Sequence, residues 1–326
     1  MNQFGALAIF VAVVESNGFA AAARKLGLSK SAVSKRITQL EEHLGVQLLH
    51  RSTRKLSLTE AGERYLSRAI EALNAAQEAE DSVFELQGSP KGQLKISVPM
   101  SFGRLHIAPL VPEFLSNYPG ISINMVMEDR VMDLVGEGFD LAIRGGKLAD
   151  SSLIARKIAP CHNLLVATPA YLKKHGTPET VSDLHDHNCL HYVYSKDSSE
   201  WVLMGRDETV SIQTTGNFLV NNSEALMTAI LGNCGIGRLT TFTASEYLKS
   251  GELVQVLPDY RLPQQTMYAV YPERKHLPAK VRAFIDFIID KIGKDKPHWD
   301  AGINLRSDRM NVKHSHTSQH VPAIEE

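Results

Sequence analysis

Residues 18–45 read GFAAAARKLGLSKSAVSKRITQLEEHLG, and this stretch decides the fold of the chain's N-terminal end. Residues 20–26 are strong helix formers, and Gly27 stands where a helix ends on its C′ residue. Ser31 opens a second helix, with Ser34 at the place of a partial cap pattern and Val33, Ile37, Leu40 and Leu44 on one face. Two short helices joined by a glycine-containing turn make a helix-turn-helix. Ala22 and Ala23 are small enough to let the two helices approach closely.

Upstream, Leu7, Phe10, Val11 and Val14 give residues 5–16 a helical apolar stripe, which Gly18 and Phe19 break. Downstream, residues 46–62 alternate apolar and polar side chains around a basic tip, Arg51-Ser52-Thr53-Arg54-Lys55, the pattern of a short β-hairpin wing. Thr59 then caps a long helix in which Leu66, Ala69, Leu73, Ala76 and Val83 recur near every 3.5 residues. Tyr65, Ile70 and Phe84 widen that stripe. With no neighbouring segment to cover it, the stripe predicts pairing between two chains, and residues 88–92 follow as a linker.

The charge is sorted along the same stretch. The whole chain of 326 residues has a net charge of −1, which on its face argues against a nucleic-acid partner. Yet residues 24–55 hold eight basic side chains against Glu41 and Glu42, whereas residues 60–88 hold seven acidic ones against Arg64 and Arg68. The basic block coincides with the helix-turn-helix and wing, the acidic block with the long helix. Length suggests two or three domains, and 43% hydrophobic residues suit a soluble protein with a sizeable core. No apolar run reaches about 18 residues, the start lacks the basic region of an export signal, and Cys161, Cys189 and Cys234 are too few for a disulfide scaffold. The expectation is a cytoplasmic protein with no membrane contact.

From residue 93 strands alternate with helices. Strands are expected at 94–98, 121–127, 139–143, 163–167, 218–220 and 267–270, with helices at 104–118, 131–136, 169–175, 224–231 and 281–292. Such repeats predict an α/β sheet with mainly parallel strands and a ligand crevice at their carboxyl ends. Residues 293–326 are polar and aperiodic and read as a disordered tail; His314, His316 and His320 in it have nothing to hold them as metal ligands.

Phe10-Val11-Ala12-Val13-Val14, Ala21-Ala22-Ala23, Leu28-Ser29-Lys30-Ser31-Ala32-Val33-Ser34, Leu40-Glu41, Leu44-Gly45-Val46 and Leu58-Thr59-Glu60-Ala61-Gly62 together resemble a LysR-type transcriptional regulator. Farther along, Tyr118-Pro119-Gly120, Asp140-Leu141-Ala142-Ile143-Arg144, His187-Asn188-Cys189 and Gly235-Ile236-Gly237 sit where that family's effector domain has similar runs. Residues 150–156 are similar to its CrgA-like branch. The resemblance implies an α plus α/β chain: a winged helix-turn-helix (1–59), a dimerising linker helix and hinge (60–92), and a two-lobed periplasmic-binding-protein-like effector domain (93–292). Lobe I would span about 93–161 and 267–292, and lobe II about 162–266. It further implies homodimers or tetramers on interrupted inverted repeats of double-stranded DNA near promoters. Many family members carry Gln and Pro where this chain has Lys30 and Ser31, so the family's base-reading rules do not transfer.

A recognition helix presents polar side chains to the major groove from its first turns. Lys30, Ser31, Ser34, Lys35 and Gln39 form such a face, with Lys30 suited to guanine acceptors and Lys35 and Arg36 to phosphates. In the wing, Arg51, Thr53 and Arg54 suit a minor groove or its phosphates. At the effector end, Ser101, Asp129 and Asn222 follow strands or precede helices, positions that serve a ligand or an ordinary N-cap. Arg144 at a strand's end is the natural counter-ion for a carboxylate effector, and Phe102 suits an apolar wall or the core. His185, His187, Cys189 and His191 lack standard zinc spacing, and Gly232, Gly235 and Gly237 fit no nucleotide loop. Cys234 suits a redox or pH sensor or a small buried hydrophobe. With no cofactor motif and no catalytic constellation, the expectation is a ligand-controlled DNA-binding regulator rather than an enzyme or an exported solute-binding protein.

Overall fold

The computed structural model describes residues 3–51, 56–86, 90–130, 132–146, 153–193, 199–273, 277–303 and 305. Three helices open the chain: α1 (Gln3–Glu15), α2 (Phe19–Leu26) and α3 (Lys30–Leu44). Ser29 begins α3, its hydroxyl accepting from the Ala32 amide at 3.1 Å. Ser31 therefore lies inside the first turn and Ser34 in the body of the helix, not at a cap. Gly27 and Gly45 close α2 and α3 in the left-handed region, at φ 64° and 68°. Phe10, Val13, Ala22, Ala23, Val33, Ile37 and Leu40 are buried together, so the alanines do sit where the helices meet.

The wing consists of antiparallel β1 (Leu49–Arg51) and β2 (Leu56–Leu58); its tip, with Thr53 and Arg54, lies outside the described residues. What ties it to α3 is a buried carboxylate. Glu41 Oε1 accepts from the amides of Leu48 and Leu49, at 3.0 and 3.2 Å. Thr59 Oγ1 then donates to the Gln47 carbonyl at 2.7 Å and accepts from the Gly62 amide at 2.9 Å, capping α4 (Glu60–Leu86). Gly62 is required here, because a Cβ would stand 2.0 Å from the Leu48 carbonyl oxygen.

The stripe on α4 is not bare along its whole length. Tyr65, Leu66, Ala69, Ile70 and Leu73 pack against Leu7 and Val11 of α1, with Tyr65 edge-on to Phe10 at 5.4 Å. The expectation of an uncovered stripe is corrected for this half, because α1 runs beside it; the side chains of Val83 and Phe84 lie outside the described residues.

Two five-stranded sheets follow. The first has the order β4-β3-β5-β14-β6, from β3 (Gly92–Val98), β4 (Ile121–Met127), β5 (Leu141–Gly145), β6 (Leu153–Cys161) and β14 (Gln265–Pro272). The second has the order β11-β8-β12-β7-β13, from β7 (Asn163–Ala167), β8 (Cys189–Tyr192), β11 (Leu219–Val220), β12 (Ile236–Thr240) and β13 (Val254–Val256). Parallel pairings of β3 and of β8 stand beside antiparallel pairings of β14 and of β7, so the sheets are mixed rather than mainly parallel. The reason is connectivity. The chain leaves the first sheet through β6, passes at His162 straight into β7, and returns as β14, which enters between β5 and β6 running against both.

Between β3 and β4 the expected single helix is broken into α5 (Met100–Phe102), a π turn (Gly103–Ile107), a 3-10 turn (Ala108–Leu110) and α6 (Val111–Asn117). Pro109 and Pro112 supply no N–H to a continuous ladder. The helix expected at 131–136 is a turn over 134–138, with Val131 outside the described residues. In the second lobe α7 (Pro169–His175), α8 (Ser223–Leu231) and α9 (Thr241–Ser250) cover the sheet, and a hairpin, β9 (Glu200–Met204) with β10 (Thr209–Gln213), inserts Trp201 and Leu203 into its core. In the first, α10 (Ala279–Ile292) buries Val281, Phe284, Ile285, Ile288 and Ile292.

The expectation of a disordered tail from residue 293 is corrected at its start. Residues 293–303 are part of the fold, and Trp299, on a 3-10 turn (His298–Asp300), is 1% exposed. One large aromatic ring among polar neighbours has no period to betray it. Residues 306–326, with the three tail histidines, lie outside the described residues. Among the described residues no helix is long and apolar enough to cross a membrane.

Replacing Glu41 by Ala strands two buried amides and should destabilise the head by about 2–4 kcal/mol. The checking measurement is urea denaturation of the full chain, in which Glu41→Gln, retaining an acceptor oxygen, should lose less.

Candidate functional site

Two surfaces gather the residues singled out above. On α3, the apolar face is buried in the head, which turns the polar face outward. Lys30, Ser31, Lys35 and Arg36 are exposed, and Ser34, Thr38 and Gln39 are half-buried. Ser31, Ser34, Lys35, Thr38, Gln39 and Glu42 line one shallow groove along the helix. This row of cation, hydroxyl and amide groups has the donor chemistry that base edges and phosphates require. Arg51 ends β1 at the start of the wing's tip.

The second surface is the cleft between the lobes. Ser101, just beyond β3, is 4% exposed, and its Oγ accepts from Ser223 Oγ of the opposite lobe at 2.7 Å. Beside them Arg104 and Glu224 form a two-point ion pair, Nε to Oε1 at 2.8 Å and Nη2 to Oε2 at 2.6 Å. Asn222 approaches Met100 Sδ at 3.1 Å through Nδ2, while its Oδ1 caps α8 by accepting from the Ala225 amide at 2.9 Å. Asp129 Oδ1 accepts from the Met100 amide at 2.9 Å, holding the turn that carries Ser101. Asp129 and Asn222 thus have structural partners at the cleft's edge.

Arg144, in β5, lies within electrostatic reach of Asp129. Its Nη2 donates to Ser97 Oγ and its Nη1 to the Ile143 carbonyl, each at 2.8 Å. Burial pushes the guanidinium's pKa down, with Asp129 and Glu137 pulling the other way. Among the described residues its hydrogen-bond partners are neutral, which leaves the half-buried cation able to donate a direct bond to an anionic ligand. Phe102, expected as a candidate ligand wall, is instead core: it is fully buried, edge-on to Phe242 at 5.3 Å and to Trp299 at 5.7 Å. Consecutive residues of a helical turn point different ways, so Ser101 faces α8 while Phe102 enters the aromatic cluster. Arg104, Glu224 and Ser97 were not read from sequence, since 120 residues separate the first two and no local pattern links them. Cys234 is exposed, whereas Cys189 is buried in β8.

His106 sits at the other side of the lobe seam. Its Nε2 is 2.9 Å from the Phe242 carbonyl, so Nε2–H donates and Nδ1, 3.1 Å from His298 Nε2, accepts. Burial pushes its pKa from 6.5 to about 4, assisted by His298 and opposed by the Phe242 carbonyl. Between those values the unfolded chain binds a proton that the folded chain refuses. Stability should therefore fall as pH drops from about 6.5 to about 4, by up to about 3 kcal/mol, and level off below. Thermal melts across that range should show the slope, and His106→Gln should flatten it.

Two family models match the chain: a bacterial regulatory helix-turn-helix protein of the lysR family over residues 4–63, and a LysR substrate binding domain over residues 87–293. The probable HTH-type transcriptional regulator LtrA of Klebsiella pneumoniae is 36% identical over 295 residues, 90% of this chain and 96% of the relative. Among solved structures, the full-length virulence activator AphB of Vibrio cholerae superposes with a TM-score of 0.59 at 32% identity, over 89% of this chain and 99% of that one. CrgA of Neisseria meningitidis, a LysR-type transcriptional regulator, gives 0.59 at 33%, over 89% and 98%.

Proposed function

Because the chain belongs to the LysR family of bacterial transcriptional regulators, with DNA-binding and effector-binding domains both matched, we propose which residues carry each task. Lys30, Ser31 and Ser34 read base edges in a major groove, Gln39 extends that face, and Lys35 and Arg36 grip phosphates. Arg51, Thr53 and Arg54 of the wing engage the adjacent minor groove or its backbone. The observation that carries this reading is the division of α3 into a buried apolar face and an outward row of cations and hydroxyls. Pairing of two chains through the linker helices presents two such heads, and the matching DNA is an interrupted inverted repeat. The protein acts as a regulator in the cytoplasm, without catalysis of its own.

The effector is a small carboxylate held between the lobes. Arg144 supplies the counter-charge, and the Ser101 hydroxyl, freed from Ser223, supplies a hydrogen bond; Asp129 and Asn222 fix the turns on either side. Entry of the ligand exchanges a lobe-to-lobe contact for lobe-to-ligand contacts, which biases the lobe angle and through it the spacing of the heads.

Gel shifts on the chain's own upstream region test the DNA assignment. Arg36→Ala should weaken binding to all sequences and lower the log–log salt slope by about 1, whereas Lys30→Ala should change sequence preference. A Lys30→Ala chain with unaltered affinity and preference would refute the register. Thermal-shift screening against small carboxylates tests the cleft. A true effector at 100 times its Kd should add about 2.7 kcal/mol of stability, and Arg144→Gln should abolish the shift.

A further inference from the structure

The segment that follows α10 does not simply leave the molecule. Gly293, at φ 95°, turns the chain back; a Cβ there would meet the Lys296 carbonyl at 2.7 Å, and the Lys296 amide bonds to Gly293 O at 2.8 Å. From that turn the chain runs across both lobes. Trp299 lies 4.6 Å from His106 and 5.7 Å from Phe102 of the first lobe, and 6.1 Å from Phe242 of the second. His298 pairs with His106, and Asp300 Oδ2 lies 3.1 Å from His162 Nδ1, on the residue where the chain crosses between the sheets. Ile303 and Leu305 then pack against the second lobe's core beside α8 and α9. An ion pair of Asp295 with Lys157 of β6 ties the start of the segment to the first lobe.

We propose that residues 294–303, with Leu305, form a clasp that holds the two lobes at a fixed angle, and that its release lets the cleft at Ser101 and Ser223 open. The joint is built to separate. Although His298 and Asp300 are bonded to His106 and His162, Thr241 Oγ1, Trp299 Nε1 and Asp300 Oδ1 are buried there without a hydrogen-bond partner among the described residues, so the indole itself is held by aromatic packing. It is also placed to act on the cleft. Phe102, on which Trp299 rests, is the neighbour of Ser101, and α9 begins at Thr241 beside the crossing. A shift of Trp299 is therefore felt on the turn that presents the Ser101 hydroxyl. As a control of ligand access this rests on the cleft being the effector site; the clasp itself does not.

Hydrogen–deuterium exchange on the full chain and four variants tests it without any ligand. Truncation after Gly293 and full-length Trp299→Ala should each speed exchange at least tenfold in residues 100–110 and 240–248, leaving β3, β4, β8 and β12 as protected as before. His298→Ala, which keeps the indole seated, should give the same pattern at smaller amplitude. Truncation after Leu305 should change nothing. Unaltered exchange at both segments in the first two variants would overturn the clasp. So would exchange raised evenly through both lobes in these and in His298→Ala, since the segment would then serve general stability only. Failure here leaves the cleft assignment standing, and failure of the ligand screen leaves the clasp standing.

Discussion

A carboxylate removed from water must have its lone pairs answered, and in the head of this protein Glu41 meets that demand with the amides of Leu48 and Leu49. This contact fixes where the chain goes after α3. With Leu48 pinned, its carbonyl receives the Thr59 amide and leaves room only for a glycine at position 62. The direction of α4 follows, and with it the packing of Tyr65, Ala69 and Ile70 on α1. One buried acid on the inner side of α3 thus sets the relation between the outward polar face of α3 and the long helix α4. A substitution there acts on binding through geometry, although Glu41 itself is turned away from the groove.

The cleft follows a different logic. Its polar groups already have partners: Ser101 with Ser223, Arg104 with Glu224, Asp129 and Asn222 with backbone amides. Any ligand must compete with contacts the protein makes to itself, so its net affinity is the difference between two sets of bonds. Arg144 stands apart, because its hydrogen bonds go to Ser97 and a carbonyl while the carboxylates of Asp129 and Glu137 act on it only through space. Selectivity for an anion would arise from that cation, and the response from the exchange of lobe contacts around it.

How much of this was legible in the sequence depended on how local each interaction is. The three helices and the wing declare themselves because their caps, glycines and apolar stripes lie within a few residues of one another. Even there, Ser29 rather than Ser31 proved to be the cap, since either serine satisfies the pattern one or two positions before the apolar run. In the lobes, β6, β12 and the β9–β10 hairpin pass unread, because strands acquire their identity from partners far along the chain. The single helix expected at 104–118 takes no account of Pro109 and Pro112, the two local signals that break it. Phe102 and Ser101 are neighbours in sequence with opposite surroundings, and no periodicity separates a cleft residue from a core residue in a three-residue turn. Trp299 was hidden for a related reason: its partners lie in both lobes.

The strand order carries a consequence for how the molecule is made. The second lobe is one continuous run, from β7 to β13, whereas the first lobe is incomplete until β14 slides between β5 and β6. On the ribosome the head can close early and the inserted lobe can close next. The first lobe must wait with the edges of β5 and β6 unpaired until residue 272 has emerged. The protein is therefore most exposed to mispairing late in its synthesis, at the strands that border the cleft between its lobes, and the residues from 293 to 303 that lie across the seam arrive only after those strands have paired.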